Sequence, residues 1–471
     1  MELPNLDKAR KRTKNKVEEI NYELNDLYKN IGKNKTFYVK TYGCQMNEHD
    51  SENIEGLLES IGFKKNNDME EADIIILNTC SIRENAHNKA FGMLGRLKHL
   101  KEMRPNTIVA LCGCMAQEEV VVSEILEKHK HVNFVFGTHN LYDLPRLIYE
   151  NMHNVKTNIC VKSVEGDLVE GLPVKRVSKY KAYVNIIYGC DKFCTYCIVP
   201  YTRGKQRSRK MEDILNEVNE LKENGYQEVT LLGQNVNAYG KDLGLGYDLA
   251  DLLEEVAKTN IPRVRFITSH PWDFTDRMIE VIKKYDNIMK YVHLPVQSGS
   301  DKILKLMGRR YTKDAYKTLF NKLKEIDGIS ITTDIIVGFP GETEEDFLDT
   351  LDIVKYCKYD GAFTFIYSPR VGTPAAKLFE KDETTLEEKE QRLYRLNELI
   401  NSYSLESNKR MLNNEYQILV EGLSNKDGMM YGYTETNKLV NFKGNEDLIG
   451  KIVNIRIIDA KSFSLDGELV E

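Results

Sequence analysis

From Thr36 onward, short apolar runs alternate with longer stretches of helical character. Phe37–Lys40, Ile74–Leu77 and Ile108–Leu111 have strand length. Glu48–Ile61, Glu84–Met103 and Glu118–Lys130 read as helices, and Asn133–Phe136 predicts a further strand. Strands separated by helices predict βαβ units, hence a parallel sheet with helices on its faces. Residues 151–180 lose the periodicity and contain E-G-D and G-L-P, so a linker is expected there, with Cys160 structural. The alternation restarts with candidate strands Ala182–Ile187, Val229–Leu232, Val264–Thr268, Tyr291–Val296, Ile331–Val337 and Ala362–Ile366. Met211–Asn224, Leu249–Lys258, Asp276–Lys284, Lys313–Glu325 and Glu344–Lys355 are the intervening helices, and Glu387–Met411 closes this region. Six such repeats fit a doubly wound sheet or a barrel. Beyond Asn413 come five short runs with Gly and Asn/Asp turns, Tyr416–Val420, Met429–Tyr433, Lys438–Phe442, Lys451–Ile458 and Ser464–Leu469. Their spacing predicts a small β-barrel.

The expected organisation is therefore an α/β chain. It has a polar, mobile arm at 1–34, a parallel-sheet domain at 35–150, a linker at 151–180, a second α/β domain at 181–410 and a small β-barrel at 411–471. The basic run Lys8–Lys16 reads as solvated.

Each of the first three strands runs into a cysteine: T-Y-G-Cys44, N-T-Cys80 and C-G-Cys114. Ligands of open α/β sheets bind beyond the carboxyl ends of the strands, so Cys44, Cys80 and Cys114 are expected to converge on a metal. Cys112 is an alternative to Cys114, because strand alternation puts both on one face. Buried, inert thiols are the plainer reading of any one of them. A second set, Cys190, Cys194 and Cys197, has C-x3-C-x2-C spacing with no fourth cysteine or histidine nearby. A structural zinc site closes with four protein ligands. Three thiolates instead suit a cubane iron–sulfur cluster with one open iron. Cys357 falls in a helix and reads as core.

Nine cysteines without a charged-then-apolar leader point to a reducing compartment, and the expected location is cytoplasmic. No stretch has the length of a membrane span. No loop fits a phosphate-binding G-x-x-x-x-G-K-[ST] motif. The net charge of −6 does not suggest a global nucleic-acid field, so a polyanion would need a local patch.

The spacing C-D-K-F-C-T-Y-C, with Tyr196 before the last cysteine, resembles the radical S-adenosylmethionine (SAM) enzymes. Y-G-C-Q-M-N at 42–47, N-T-C-S-I-R-E-N-A at 78–86 and G-C-M-A-Q at 113–117 resemble the N-terminal domain of the methylthiotransferases within that class. P-V-Q-S-G-S at 295–300 and T-D-I-I-V-G-F-P-G-E-T at 333–343 are similar to their radical SAM domain, and the tail resembles a TRAM domain. The likeness runs from about 36 to 471 in the family's order. It implies a partial (β/α)6 barrel at 181–410, two 4Fe–4S clusters, and SAM bound near Tyr196, Gln234 and Asn235. M-G-R-R-Y-T at 307–312 and Y-S-P-R-V-G-T-P-A at 367–375 are most like the members acting on N(6)-dimethylallyladenosine beside the tRNA anticodon. Sister members act on threonylcarbamoyladenosine in tRNA or on a ribosomal protein. A non-catalytic iron–sulfur protein that binds RNA and senses redox state is the reading from another class.

The resemblance further implies an anticodon stem-loop, an electron-donor protein and a sulfur source as partners, and no membrane. Residues 411–471 hold six basic against ten acidic residues, unusual for an RNA-gripping tail. Phosphate contacts are therefore expected at Arg203, Lys205, Arg207, Arg209 and Lys210, assisted by Arg309 and Arg310. Tyr431, Tyr433 and Lys438 are the expected contributions of the tail.

Overall fold

The computed structural model describes residues 3–11, 17–81, 84–153, 158–164, 166–426 and 428–470. The chain forms two compact units: 1–177 with 187–193 and 197–209, and 178–186 with 194–196 and 210–471.

The first unit is built on a six-stranded sheet in which every pairing is parallel. Its spatial order is Lys64–Lys65, Thr36–Tyr42, Ile74–Thr79, Ile108–Gly113, Phe134–Phe136, Asn158–Cys160. The middle strands are apolar on both faces because both faces are covered. Ile74, Ile76, Ala110 and Phe134 meet Ile54, Leu57, Leu144 and Ile148 on one side. Ile75, Leu77, Val109 and Leu111 meet Ala90, Leu94, Val122 and Ile125 on the other. The order of the strands reverses between Thr36–Tyr42 and Ile74–Thr79. Sheets of this kind bind ligands at such a reversal, beyond the carboxyl ends.

Two expectations change here. Asn158–Cys160, expected in a linker, is the sixth strand of the sheet, and Leu168–Glu170 pairs in parallel with Glu19–Asn21. These strands are three residues long, Glu19–Asn21 exposed throughout and the other two only partly buried, too short to show a period. The amino-terminal arm is also more than a solvated tail. Leu6–Lys11 is a helix whose Ala9 packs with Ile198 and Tyr201. Residues 12–16 of the basic run lie outside the described residues.

The second unit carries the six central strands in sequence order. Lys181–Asn185, Glu228–Leu232 and Arg263–Phe266 form one parallel set, and Tyr291–His293, Ser330–Val337 and Gly361–Ile366 another. The Val264 amide donates to Asn287 O (2.7 Å) and its carbonyl accepts from Met289 N (2.9 Å), so an isolated parallel bridge at Ile288 links the two sets. This is the partial (β/α)6 arrangement expected of the region. The closing helix Leu386–Lys409 starts at a capping box between Thr385 and Glu388 and is fixed by the buried pairs Arg392–Glu342 (2.9 Å) and Lys389–Asp382 (2.6 Å).

Glu415–Leu423, Met429–Thr434, Leu439–Lys443, Leu465–Leu469 and Ile452–Ala460 close into a barrel in that order. Its core holds Ile418, Val420, Met430, Val440, Phe442, Ile455 and Leu465. Arg263, on the third central strand, fastens the barrel to the β/α region. It donates to Tyr433 O (2.9 Å) and Gln417 O (2.7 Å) and is almost fully buried. Arg263→Met is expected to leave both carbonyls unpaired and cost ~2–6 kcal/mol, at ~1–3 kcal/mol for each unsatisfied carbonyl. Urea unfolding checks this; an unchanged midpoint would mean the bridge contributes nothing to docking the barrel.

Candidate functional site

Tyr42 pairs with Thr79, and Thr79 with Gly113, so three neighbouring strands end at one level. Cys44, Cys80 and Cys114 follow within two residues of those ends. Asn47 and Asn78 tie the ends together. Asn47 Nδ2 donates to Asn78 Oδ1 (3.1 Å) and Thr79 O (3.2 Å), and Asn78 Nδ2 donates to Asn47 O (2.8 Å) and Ser51 Oγ (2.9 Å). Gly113 lets the third strand come this close. Its φ is +92°, and a Cβ there would stand 2.3 Å from Thr79 O.

Cys44 occupies the position before the first turn of the helix Gln45–Ser60, where the helix amino end favours an ionised thiol. A hydrogen bond with Cys80 lowers the Cys44 thiol to about 6; burial opposes this, and the Arg203 charge and helix amides assist. Burial pushes Cys114 up against the pull of Arg203. Cys112 stands apart. It remains on the strand, packed with Ile74, Ala110 and Phe134, and its thiol is raised well above the ordinary value by burial. The turn at Gly113 breaks the strand alternation, so Cys114 leaves the sheet while Cys112 stays in the core.

The residues fit a cubane cluster by their chemistry. Three thiols meet at one sheet edge, one is poised to ionise, and a cation stands ready for another. Among the described residues no three His, Cys, Asp or Glu side chains close on a single ion. A cubane differs, because each thiolate binds its own iron.

The arginines after Cys197, expected at phosphate, are buried within this unit. Arg203, Arg207 and Arg209 are 5, 7 and 8% exposed. Arg203 NH2 pairs with Asp50 Oδ2 (2.5 Å) and its Nε donates to Cys114 Sγ (3.2 Å). Arg209 grips both oxygens of Glu170 (2.6 and 2.7 Å), and the Arg207 guanidinium lies 6.0 Å from the Tyr188 ring centre. Arg203 and Arg209 thus meet carboxylates inside this unit. Lys205 is half-buried and Lys210 exposed. In the same unit, the Cys190 amide donates to Gly204 O (3.2 Å), and Cys190 and Cys197 are both half-buried.

In the second unit, Cys194 and Tyr196 flank Thr195, which is pinned by N–H to Met307 O (2.9 Å) and Oγ1 to Leu306 O (2.8 Å). Arg309, expected at RNA, is buried instead. Its NH1 lies 3.5 Å from both Cys194 Sγ and Tyr196 Oη, and its NH2 donates to Pro295 O (3.1 Å). No single-sequence signal separated Arg309 from the exposed Arg310. The Tyr196 ring sits edge-on to Phe339 at 6.4 Å. Asn235 is buried and donates to Asp273 Oδ2 (2.8 Å), and its Oδ1 has no hydrogen-bond partner among the described residues; Gln234 is half-buried. Lys241, not foreseen, also pairs with Asp273 (2.7 Å). Lys438 is tied to Asp360 O (3.1 Å) and Ser407 Oγ (3.3 Å), not to a free surface, while Tyr431 and Tyr433 are half-buried.

The P-V-Q-S-G-S and G-E-T motifs are bound to each other through Asp346. Burial pushes its carboxyl up, but Lys302 (2.6 Å), Ser300 (2.6 Å) and Thr343 overcome this and hold it at about 2.

Residues 36–137 match Uncharacterized protein family UPF0004, 184–354 the Radical SAM superfamily and 409–470 the TRAM domain. A radical S-adenosylmethionine methyltransferase from Kitasatospora setae, solved with cobalamin and a 4Fe–4S cluster, shares the fold. Its TM-score is 0.53 at 13% identity, over 73% of this chain and 77% of that one. Fold and cysteine sets together define a radical SAM enzyme with an added amino-terminal cysteine domain and a TRAM barrel. Proteins named tRNA-2-methylthio-N(6)-dimethylallyladenosine synthase from Staphylococcus epidermidis RP62A and Bacillus cytotoxicus are 52% and 53% identical over 472 residues. The alignments cover 99% of this chain and 91% and 92% of theirs. The chain belongs to the tRNA-2-methylthio-N(6)-dimethylallyladenosine synthase family.

Two outcomes follow from this geometry. Gly113→Ala is expected to cost ~1–3 kcal/mol from backbone strain alone, with the clash at Thr79 adding to it. Denaturant unfolding measures the loss, and a neutral substitution would mean the strand ends are not tightly drawn together. Because the folded pKa of Asp346 lies below its ordinary 3.8, its contribution is full above that value and lost as pH falls towards about 2. The acid-side fall in stability between pH 4 and 2 is expected to flatten in Asp346→Asn.

Proposed function

We infer that this enzyme adds a methylthio group to carbon 2 of N(6)-dimethylallyladenosine next to the anticodon of tRNA. The observation that carries the two-site form of this reading is the meeting of Cys44, Cys80 and Cys114 at one sheet edge, besides the Cys190/Cys194/Cys197 motif. When bound, two 4Fe–4S clusters and SAM supply methyl transfer to sulfur and radical activation of an unreactive C–H bond.

The chain's own residues have simpler tasks. Cys44, Cys80 and Cys114 hold one cluster, and Cys190, Cys194 and Cys197 the other. Tyr196 offers its ring edge and hydroxyl to the adenine of SAM, oriented by Arg309 and Phe339. Asn235 presents its carbonyl oxygen to a donor on SAM, since Asp273 already takes its amide. Gln234 is the adjacent polar contact. Lys205 offers a phosphate contact to the anticodon stem-loop, and Tyr431 and Tyr433 offer base stacking. A one-electron donor protein of low potential and a sulfide or persulfide source complete the cycle. Among the described residues no helix is long and apolar enough to cross a membrane. A tRNA substrate fits a cytoplasmic site of action.

Anaerobic reconstitution is the first test. About eight irons per chain are expected, falling to about four in a Cys190/Cys194/Cys197→Ala variant and in a Cys44/Cys80/Cys114→Ala variant. The wild type is then given stem-loops carrying dimethylallyladenosine or threonylcarbamoyladenosine. A methylthio mass gain on the first alone supports the reading, and gain on the second alone overturns the substrate.

A further inference from the structure

We propose that Arg203 is a positioning residue for the amino-terminal cluster and, with Asp50, sets how readily that cluster accepts an electron. The proposal rests on the reading above that Cys44, Cys80 and Cys114 hold a 4Fe–4S cluster.

Three observations carry it. Arg203 is 5% exposed, and its Nε points at Cys114 Sγ from 3.2 Å while NH2 holds Asp50 at 2.5 Å. A neutral thiol gains little from a buried guanidinium. A cluster thiolate gains a charge-assisted N–H···S bond, and hydrogen bonds to cluster sulfurs are among the features that fix potential. Second, Asp50 takes NH2 on the same edge of the guanidinium as Nε, so its carboxylate also stands close to Cys114 and opposes the arginine's charge there. Outer-shell pairs of this kind orient and tune metal ligands. Third, the arginine comes from the other cysteine motif. Cys197 and Arg203 belong to one short segment of the first unit, C-I-V-P-Y-T-R. That segment is held by Thr138 Oγ1 donating to Thr202 O (2.6 Å) and by Ile198 and Tyr201 packing on Ala9. A single segment therefore supplies a ligand to one cluster and an outer-shell donor to the other.

One-electron reduction makes a cluster more negative by one charge, and a nearby cation favours that state. Removing Arg203 should lower the midpoint potential. Removing the Asp50 charge should raise it.

The test is a potentiometric titration with dithionite, read by electron paramagnetic resonance, on the full-length chain. It is run in wild type and in the Cys190/Cys194/Cys197→Ala background, where the amino-terminal cluster is observed alone. Iron content is measured first. If that background retains no iron, the two-cluster reading fails, not the role of Arg203. With about four irons retained, Arg203→Gln is expected to cut the reduced fraction at fixed potential about tenfold, a shift of ~59 mV to the negative side. Arg203→Lys should recover part of the shift, and Asp50→Asn should move the midpoint in the positive direction. Unchanged midpoints, or the same sign for Arg203→Gln and Asp50→Asn, would overturn the proposal. Should Arg203→Gln fail to keep its iron, the direction of Asp50→Asn and the midpoint of Arg203→Lys decide it.

Discussion

Tyr42, Thr79 and Gly113 lie side by side in parallel strands, and that register decides where three thiols stand. A slip of one residue in any strand would turn its apolar side chains to the wrong helix layer and move its cysteine off the common level. The asparagine pair Asn47 and Asn78 enforces the register, because each amide finds its partners only when the ends align. Left unpaired in a dry site, those amides would each carry a desolvation cost of ~1–3 kcal/mol. Fold and chemistry thus share one constraint.

Much of this was legible from sequence. The six strands of the central region and the five of the carboxyl-terminal barrel announce themselves as apolar runs because each is several residues long or buried on one face. The cysteines were legible because a strand end is a position as well as a residue. Lys64–Lys65, Asn158–Cys160 and Leu168–Glu170 were not, since edge pairings this short bury too little to leave a hydrophobic trace. The burial of the arginines was not legible for another reason. A sequence displays charge without its counter-ion, and Asp50 and Glu170 lie 153 and 39 residues from Arg203 and Arg209. Distant pairing converted an apparent basic surface into an interior one.

The same contrast separates the two buried arginines that stand beside cysteine sulfurs. Arg203 carries its own carboxylate, whereas Arg309 is held by the carbonyl of Pro295 and the hydroxyls of Tyr311 and Tyr196. One is a compensated pair, the other a cation whose hydrogen bonds among the described residues go to dipoles. Environments that differ in this way suit sites with different electronic tasks.

The carboxyl-terminal barrel closes through a parallel pairing of Leu439–Lys443 with Leu465–Leu469, and that closure consumes every strand edge it has. A sheet without edges offers no backbone template to an incoming chain, so it is protected against the edge-to-edge association that threatens small β domains at high concentration. It also cannot recruit a partner by adding a strand. Whatever this module grips, it grips with side chains, and its specificity is therefore free to change by surface substitution without disturbing the fold beneath.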